Sequence, residues 1–124
     1  MPGVARLAST WLPPIAWMAV IFAFSARHGG DHLAAAEVVL RKLGHVVEYF
    51  VLTALLVRAL RRCAVAAAVP AALVAALAYA ASDEWHQSFV PGRTGTPRDV
   101  AIDGVGIALA AIVVTRARLQ ERTA

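Results

Sequence analysis

Two groups of polar side chains interrupt a chain that otherwise consists largely of alanine, valine and leucine. The first group opens the apolar run at 43–60, and the second joins the apolar runs at 63–81 and 97–115. Their side chains are of types that bind metal ions, bind anions or transfer protons: Lys42, His45, Glu48, Tyr49, Asp83, Glu84, His86, Gln87, Arg93, Arg98, Asp99 and Asp103.

Helical periodicity predicts which of these side chains are neighbours. Residues three or four apart lie on one face of an α-helix, so Lys42, His45 and Tyr49 share a face, with Glu48 at its edge. The same spacing holds within two further sets, Asp83 with His86 and Gln87, and Asp99 with Asp103. An ionised side chain inside an apolar run costs up to about 3 kcal/mol, so a partner or an aqueous pocket must offset it.

One chemistry open to these residues is the binding of a divalent metal ion. The candidate ligands are two acids from the second group and a histidine and an acid from the first: His45, Glu48, Asp83 and Glu84. Imidazole would favour zinc or manganese, whereas carboxylates would favour magnesium or manganese. The HxxE spacing from His45 to Glu48 is a weak signal, because no HExxH zinc-protease motif is present.

A second chemistry is proton transfer on a bound anion. Lys42 and Arg93 could hold a phosphate or carboxylate of a cell-envelope molecule, while Glu84 with His86 or His45 performs acid–base work. The catalytic candidates are then His45, Glu48, Asp83, Glu84 and His86. The substrate-binding candidates are Lys42, Tyr49, Gln87, Arg93, Asp99 and Asp103.

The third alternative is purely structural. Lys42 and Arg93 would pair with Asp83, Asp99 or Asp103, and these ion pairs would lock the ends of neighbouring helices together. The sequence alone leaves the three alternatives open.

The composition indicates a membrane protein. Apolar side chains make up 60% of the 124 residues, against roughly 45–50% in soluble domains. The net charge of +4 forms no continuous basic stripe and no groove-reading motif accompanies it, which argues against nucleic-acid binding. The single cysteine, Cys63, cannot form an internal disulfide.

The apolar runs predict an all-α, single-domain protein of four transmembrane helices over residues 1–124. The spans would cover residues 11–24, 43–60, 63–81 and 97–115. Pro70 predicts a kink or a locally freed carbonyl in the third span, and a short interfacial helix from His32 to Leu40 would precede the second span. A cleaved signal peptide is the alternative for the first run, since small residues follow it. Retention is favoured, because three later runs already indicate a multi-span protein.

The start and faces of the fourth span carry specific signals. Thr96 is a candidate N-cap followed by Pro97 at the first helical position, and Asp99 stands where a capping box has Glu or Gln. Small residues form two faces that allow close contact with other helices: Gly104, Ala108 and Ala111 on one, and Gly106 and Ala110 on the other.

Charge distribution predicts the orientation. With four spans, seven of the 12 basic residues lie on one side: Arg6, Arg58, Arg61, Arg62, Arg116, Arg118 and Arg122. The other five lie opposite: Arg27, Arg41, Lys42, Arg93 and Arg98. The positive-inside rule then places both termini in the cytoplasm and both polar groups at the extracytoplasmic face.

The same residues carry a resemblance to a known family. The chain resembles the VanZ-like family in the segments KLGHVVEYFVL at 42–52, SDEWHQSFVPGR at 82–93 and TPRDVAIDGVG at 96–106, and IFAFSARHG at 21–29 is also similar. The resemblance covers nearly the whole chain and implies a bacterial integral membrane protein. The namesake of the family accompanies resistance to the glycopeptide teicoplanin.

The resemblance also implies which residues matter. The family pattern falls on Lys42, His45, Glu48, Tyr49, Asp83, Glu84, Gln87, Arg93, Asp99 and Asp103. Asp103 departs from that pattern, because the family frequently has Asn at this place. We therefore expect a protein of the bacterial cytoplasmic membrane that acts on, or sequesters, a lipid, a lipid-linked envelope precursor or a glycopeptide. A non-catalytic protein or partner subunit is the alternative.

Overall fold

The computed structural model describes residues 2–27, 34–92 and 96–124, and the described part contains four helices and no strand. The helices are α1 (Pro2–Ser25), α2 (Ala35–Arg62), α3 (Ala68–Gln87) and α4 (Pro97–Thr123). The predicted all-α fold is therefore confirmed. The segment expected as a short interfacial helix is, from Ala35 onward, the continuous start of α2, and its first residues lie outside the described ranges.

Three helices are long and apolar enough to cross a membrane: α1 from Gly3, α2 and α4. The third differs from its predicted span, because Cys63 to Ala67 form the connection after α2 and the helix begins only at Ala68. Its apolar part before Asp83 is about 21 Å long, shorter than the roughly 30 Å of a bilayer core. Pro70 falls in the first turn of α3, where no backbone donor is required, so the predicted kink is wrong.

Consecutive helices run in opposite directions and α2 is central, packing against each of the other three. We call the end where α1 and α3 finish and α2 and α4 begin the polar end, marked by Ser25, His45, Asp83, Thr96 and Asp103. We call the opposite end the basic end, marked by Arg6, Arg61, Arg62, Arg118 and Arg122.

Small side chains let the helices approach closely. The buried face of α3 repeats alanine every four residues, at Ala68, Ala72, Ala76 and Ala80. Facing it, α2 contributes larger buried side chains, among them Tyr49, Leu52 and Val57. Close packing at this interface therefore depends on the small side chains of α3.

The backbones of α2 and α4 approach each other closely at Gly106. A Cβ atom at this position would overlap the Val46 carbonyl oxygen and lie 3.1 Å from the Phe50 backbone nitrogen. Gly106 and Ala110 are buried, as expected for one predicted small-residue face, whereas Ala108 on the other face is exposed. Only glycine therefore permits this separation of the two helices.

We predict that Gly106→Ala lowers the free energy of unfolding by about 2 kcal/mol, because the added methyl group meets rigid backbone rather than a flexible side chain. The matched control is Gly104→Ala, whose Cβ would lie 4.0 Å from Leu77 Cδ2 in ordinary contact. Thermal unfolding of both purified variants in detergent measures the difference. Equal stability of the two variants would contradict the packing described.

Candidate functional site

A buried hydrogen-bond network centred on Asp83 joins three helices at the polar end. Asp83 Oδ2 accepts hydrogen bonds from Ser25 Oγ at 2.9 Å, Tyr49 OH at 3.2 Å and Gln87 Nε2 at 3.3 Å. The same Gln87 nitrogen lies 3.1 Å from Ser25 Oγ, to which it also donates. All four residues are buried, and Asp83 is 3% exposed. The network thus ties α1 and α2 to the last turns of α3.

The other carboxylate oxygen of Asp83, Oδ1, is buried and has no hydrogen-bond partner among the described residues. Three donors therefore converge on a single oxygen. An unpaired buried polar atom is costly, so the three donors to Oδ2 carry most of the compensation for burying this side chain.

A second pair, His45 and Asp103, joins α2 to α4. Their Nδ1 and Oδ1 atoms lie 3.1 Å apart, and Asp103 is 1% exposed. When Nδ1 carries the proton and donates to Asp103, the other ring nitrogen, Nε2, is left as an acceptor. The Glu48 Oε2 atom lies 4.0 Å from the same Nδ1. Asp103 thus supplies a carboxylate that can orient the His45 ring.

His45 and Glu48 also line a cleft of about 400 Å³ between α1 and α2, which we call the α1–α2 cleft. Its other walls are Phe24, Arg27, Leu40, Arg41 and Gly44. The Arg27 guanidinium lies 4.5 Å from the centre of the Phe24 ring, a cation–π contact. The cleft therefore combines two guanidiniums, an imidazole and a carboxylate with apolar walls.

Arg27 and Arg41 were not among the predicted site residues. In the sequence they stand out only as charges that bear on orientation. The spacing of Arg41 carried a usable signal, because it lies four residues before His45 and therefore on the same helix face. The position of Arg27 followed from no periodicity, since it lies beyond the end of α1.

Glu84, the residue after Asp83 on α3, contacts the start of α4. Its Oε1 atom accepts a hydrogen bond from the Thr96 backbone N–H. Thr96 is the N-cap, as predicted, but its hydroxyl donates to Asp99 Oδ2 at 3.0 Å and makes no side-chain cap. In a capping box the third helical residue accepts from the N-cap N–H; here Glu84 of α3 does so instead.

His86 contacts α1. Its ring stacks on Phe22 with centroids 4.3 Å apart, and its Nδ1 atom is buried without a hydrogen-bond partner in the described part of the chain. Because residues two apart point to nearly opposite sides of a helix, His86 and Glu84 contact different elements. The structure does not bring these two candidates together as an acid–base pair.

Of the two cations predicted to bind an anion at the polar end, the structure describes one. Lys42 Nζ lies 3.8 Å from Asp99 Oδ1, so one of the ion pairs expected under the structural alternative is present. Arg93, the other predicted cation, lies outside the described residues. The anion-binding role of Lys42 and Arg93 stays a prediction.

The candidate metal ligands are divided among different contacts. His45 and Glu48 line the α1–α2 cleft, Asp83 bonds Ser25, Tyr49 and Gln87, and Glu84 bonds Thr96. Within residues 2–27, 34–92 and 96–124, no three histidine, cysteine or acidic side chains are grouped in a way that could hold a metal ion.

Long apolar helices that enclose a polar network at one end are the features of a multi-pass helical membrane protein. The chain belongs to the VanZ/LLP1 family, whose sequence model matches residues 9–118. No curated protein and no solved structure matches it. The matched range contains both polar groups and all four helices in large part.

We predict that Asp83→Ala lowers the free energy of unfolding by about 3 kcal/mol, because three buried donors lose their common acceptor. Tyr49→Phe removes one donor and should cost about 1 kcal/mol. Ser82→Ala is the control, since the exposed Ser82 hydroxyl bonds only the nearby Tyr79 carbonyl in the described structure. Thermal unfolding in detergent measures the stability of the three variants. An Asp83→Ala variant as stable as Ser82→Ala would contradict the role of the network.

Proposed function

We propose that the protein has four spans in the bacterial cytoplasmic membrane, with both termini cytoplasmic and the polar end outside. The basic end holds the short connection from Cys63 to Ala67, directly after Arg61 and Arg62. A short loop flanked by arginines is the kind to which the positive-inside rule applies best. The helix α3 packs against both α2 and α4. It would therefore cross the membrane beside them, although its apolar part is short. The first turns of α2, with exposed Val38, Val39 and Leu40, would lie at the outer interface.

We propose further that the α1–α2 cleft binds the anionic head group of a lipid-linked cell-envelope molecule. The observation that carries this proposal is the cleft lining, in which Arg27 and Arg41 stand beside apolar Phe24 and Leu40. Two guanidiniums suit a phosphate, since their N–H groups bind its oxygens in a planar fork. Apolar walls suit the first part of a lipid chain.

His45 gives this cleft a chemical capacity beyond binding. With Nδ1 held by Asp103, Nε2 can accept a proton from water or from a hydroxyl group of the bound molecule. The buried Asp103 carboxylate would stabilise the resulting imidazolium, as an acid does in many histidine pairs. Glu48, at the same wall, adds a second carboxylate near the ring, with Oε2 4.0 Å from Nδ1.

Binding or modification of an envelope precursor would alter how a glycopeptide reaches its target. This supports an association with glycopeptide resistance, specifically toward teicoplanin, of the kind that the family's namesake shows. The cleft could sequester the envelope precursor by binding alone. With His45 and Asp103 as an acid–base pair, it could also modify the bound precursor.

A second candidate is a non-catalytic membrane protein or partner subunit. The observations that favour it are the contacts that join helix ends: Lys42 with Asp99, Glu84 with Thr96, and Asp83 with its three donors. Under this alternative the charges stabilise the bundle, and the α1–α2 cleft has no ligand.

We predict that the double variant Arg27→Gln, Arg41→Gln binds a polyprenyl phosphate at least about tenfold more weakly than the native protein, because two charge-assisted contacts are lost. Native mass spectrometry of the purified protein with added polyprenyl phosphate measures this affinity. Arg116→Gln is the charge control, since Arg116 is exposed on α4 away from the cleft. Equal binding by all three proteins would overturn the proposed site.

A second arm of this experiment separates binding from chemistry. In His45→Asn the amide nitrogen can take the place of Nδ1 and donate to Asp103, but no acceptor replaces Nε2. The proposal expects normal stability and lipid binding together with loss of teicoplanin protection in an expressing bacterium. Loss of stable protein in both His45→Asn and Glu84→Gln, with no specific loss of protection, would favour the structural candidate.

A further inference from the structure

The basic end contains a second cleft, which we call the arginine cleft. It has a volume of about 420 Å³ and lies between the α2–α3 connection and the last turns of α4. Three of its lining residues are Arg61, Arg118 and Arg122, and Val69 and Leu119 supply apolar walls. None of the proposed chemistry at the polar end involves these residues.

The local sequence builds this cleft by reversing the chain directly after α2. Ala64 adopts a left-handed conformation with φ of 56°. The Val65 N–H donates to the Leu60 carbonyl and the Ala64 N–H donates to the Arg61 carbonyl, both at 3.0 Å. This is the hydrogen-bond pattern of a Schellman motif, and it brings the connection back beside the end of α4.

Arg118 and Arg122 lie four residues apart and therefore share one face of α4. This face borders the cleft beside the connection. Such arginines also complement the dipole at a helix C-terminus. That effect requires neither a cleft nor Arg61, whose side chain comes from another helix. Neither the helix dipole nor the positive-inside rule requires Arg61, Arg118 and Arg122 to line one cleft, as they do here.

The arginines at this end divide into two kinds. Arg6 donates to the Arg62 carbonyl, and Arg62 donates to the Ser9 carbonyl, each at 3.4 Å, so this pair ties α1 to α2. Pro13 lacks the N–H that would otherwise bond Ser9, which leaves that carbonyl available. Arg61, in contrast, has a buried Nε atom without a hydrogen-bond partner among the described residues.

The arginine cleft is also short of acids. Over the described ranges the ion pairs all lie at the polar end, and none includes Arg61, Arg118 or Arg122. Glu121 is the acid of this segment, and it is exposed and does not line the cleft. Three like charges that line one cleft repel one another, so an anion bound in the cleft would stabilise their arrangement.

We propose that the arginine cleft binds the phosphate group of an anionic phospholipid from the adjacent membrane leaflet. Guanidiniums match the phosphate, and basic pockets between transmembrane helices are known sites for such head groups. Val69 and Leu119 would contact the start of the acyl chains. Exposed Ile112 and Val113 continue the apolar surface of α4 toward the middle of the bundle. A soluble phosphate would gain nothing from these apolar walls.

The test compares retention of phosphatidylglycerol by the purified native protein and by the double variant Arg118→Gln, Arg122→Gln, using native mass spectrometry. We expect the double variant to bind this lipid at least about tenfold more weakly. The matched control is Arg58→Gln, Arg116→Gln, which removes the same charge from exposed positions outside the cleft. It should retain the lipid, as should the Arg27→Gln, Arg41→Gln variant.

Two results would overturn the proposal. Equal loss of phosphatidylglycerol in the cleft variant and the control would assign binding to net charge alone. Displacement of the lipid by millimolar inorganic phosphate as effectively as by added phosphatidylglycerol would assign the cleft to a soluble anion. Arg61→Gln tests the cleft without altering α4. It removes one guanidinium from the opposite wall and should also weaken binding of phosphatidylglycerol. Failure of polyprenyl phosphate binding at the polar end would leave this result unaffected.

Discussion

The contact between Gly106 and the Val46 backbone sets the distance between α2 and α4, and the polar end depends on that distance. Asp103 lies one turn before Gly106 on the same face of α4, and His45 directly precedes Val46 on α2. The close approach therefore holds a buried carboxylate against an imidazole without a long flexible side chain. A larger residue at Gly106 would separate this pair, and with it the wall of the α1–α2 cleft that His45 forms.

The buried acids at the polar end have different structural roles. Asp83 is enclosed by donors from three helices, which suits a residue that holds the bundle together. Asp103 is equally buried but bonds a histidine whose ring also borders an open cleft. Glu84 bonds Thr96, the N-cap of α4, and so holds the start of that helix. The site is therefore supported by carboxylates that do not themselves reach the α1–α2 cleft.

Much of this arrangement followed from the sequence, because helical spacing and alternating helix direction are enough to place His45, Tyr49, Asp83 and Asp103 at one end. Pairing between helices did not follow, since it depends on rotation and close approach. Hence the sequence could pair Glu84 with either His86 or His45, and it did not reveal that Glu84 bonds the Thr96 backbone. The start of α3 was also misplaced, because the turn at Ala64 uses alanine where a helix end usually shows glycine. The α1–α2 cleft was missed, as Arg27 follows no periodic pattern.

We propose that the polar end and the basic end face opposite sides of the membrane, with the polar end outside. The native Cys63, exposed in the connection after α2, marks the basic end. A Ser88→Cys, Cys63→Ser variant marks the polar end at the exposed C-cap of α3. A membrane-impermeant maleimide should label Cys63 only after permeabilisation and the Ser88→Cys variant in intact cells. Labelling of both proteins from the same side would contradict the account.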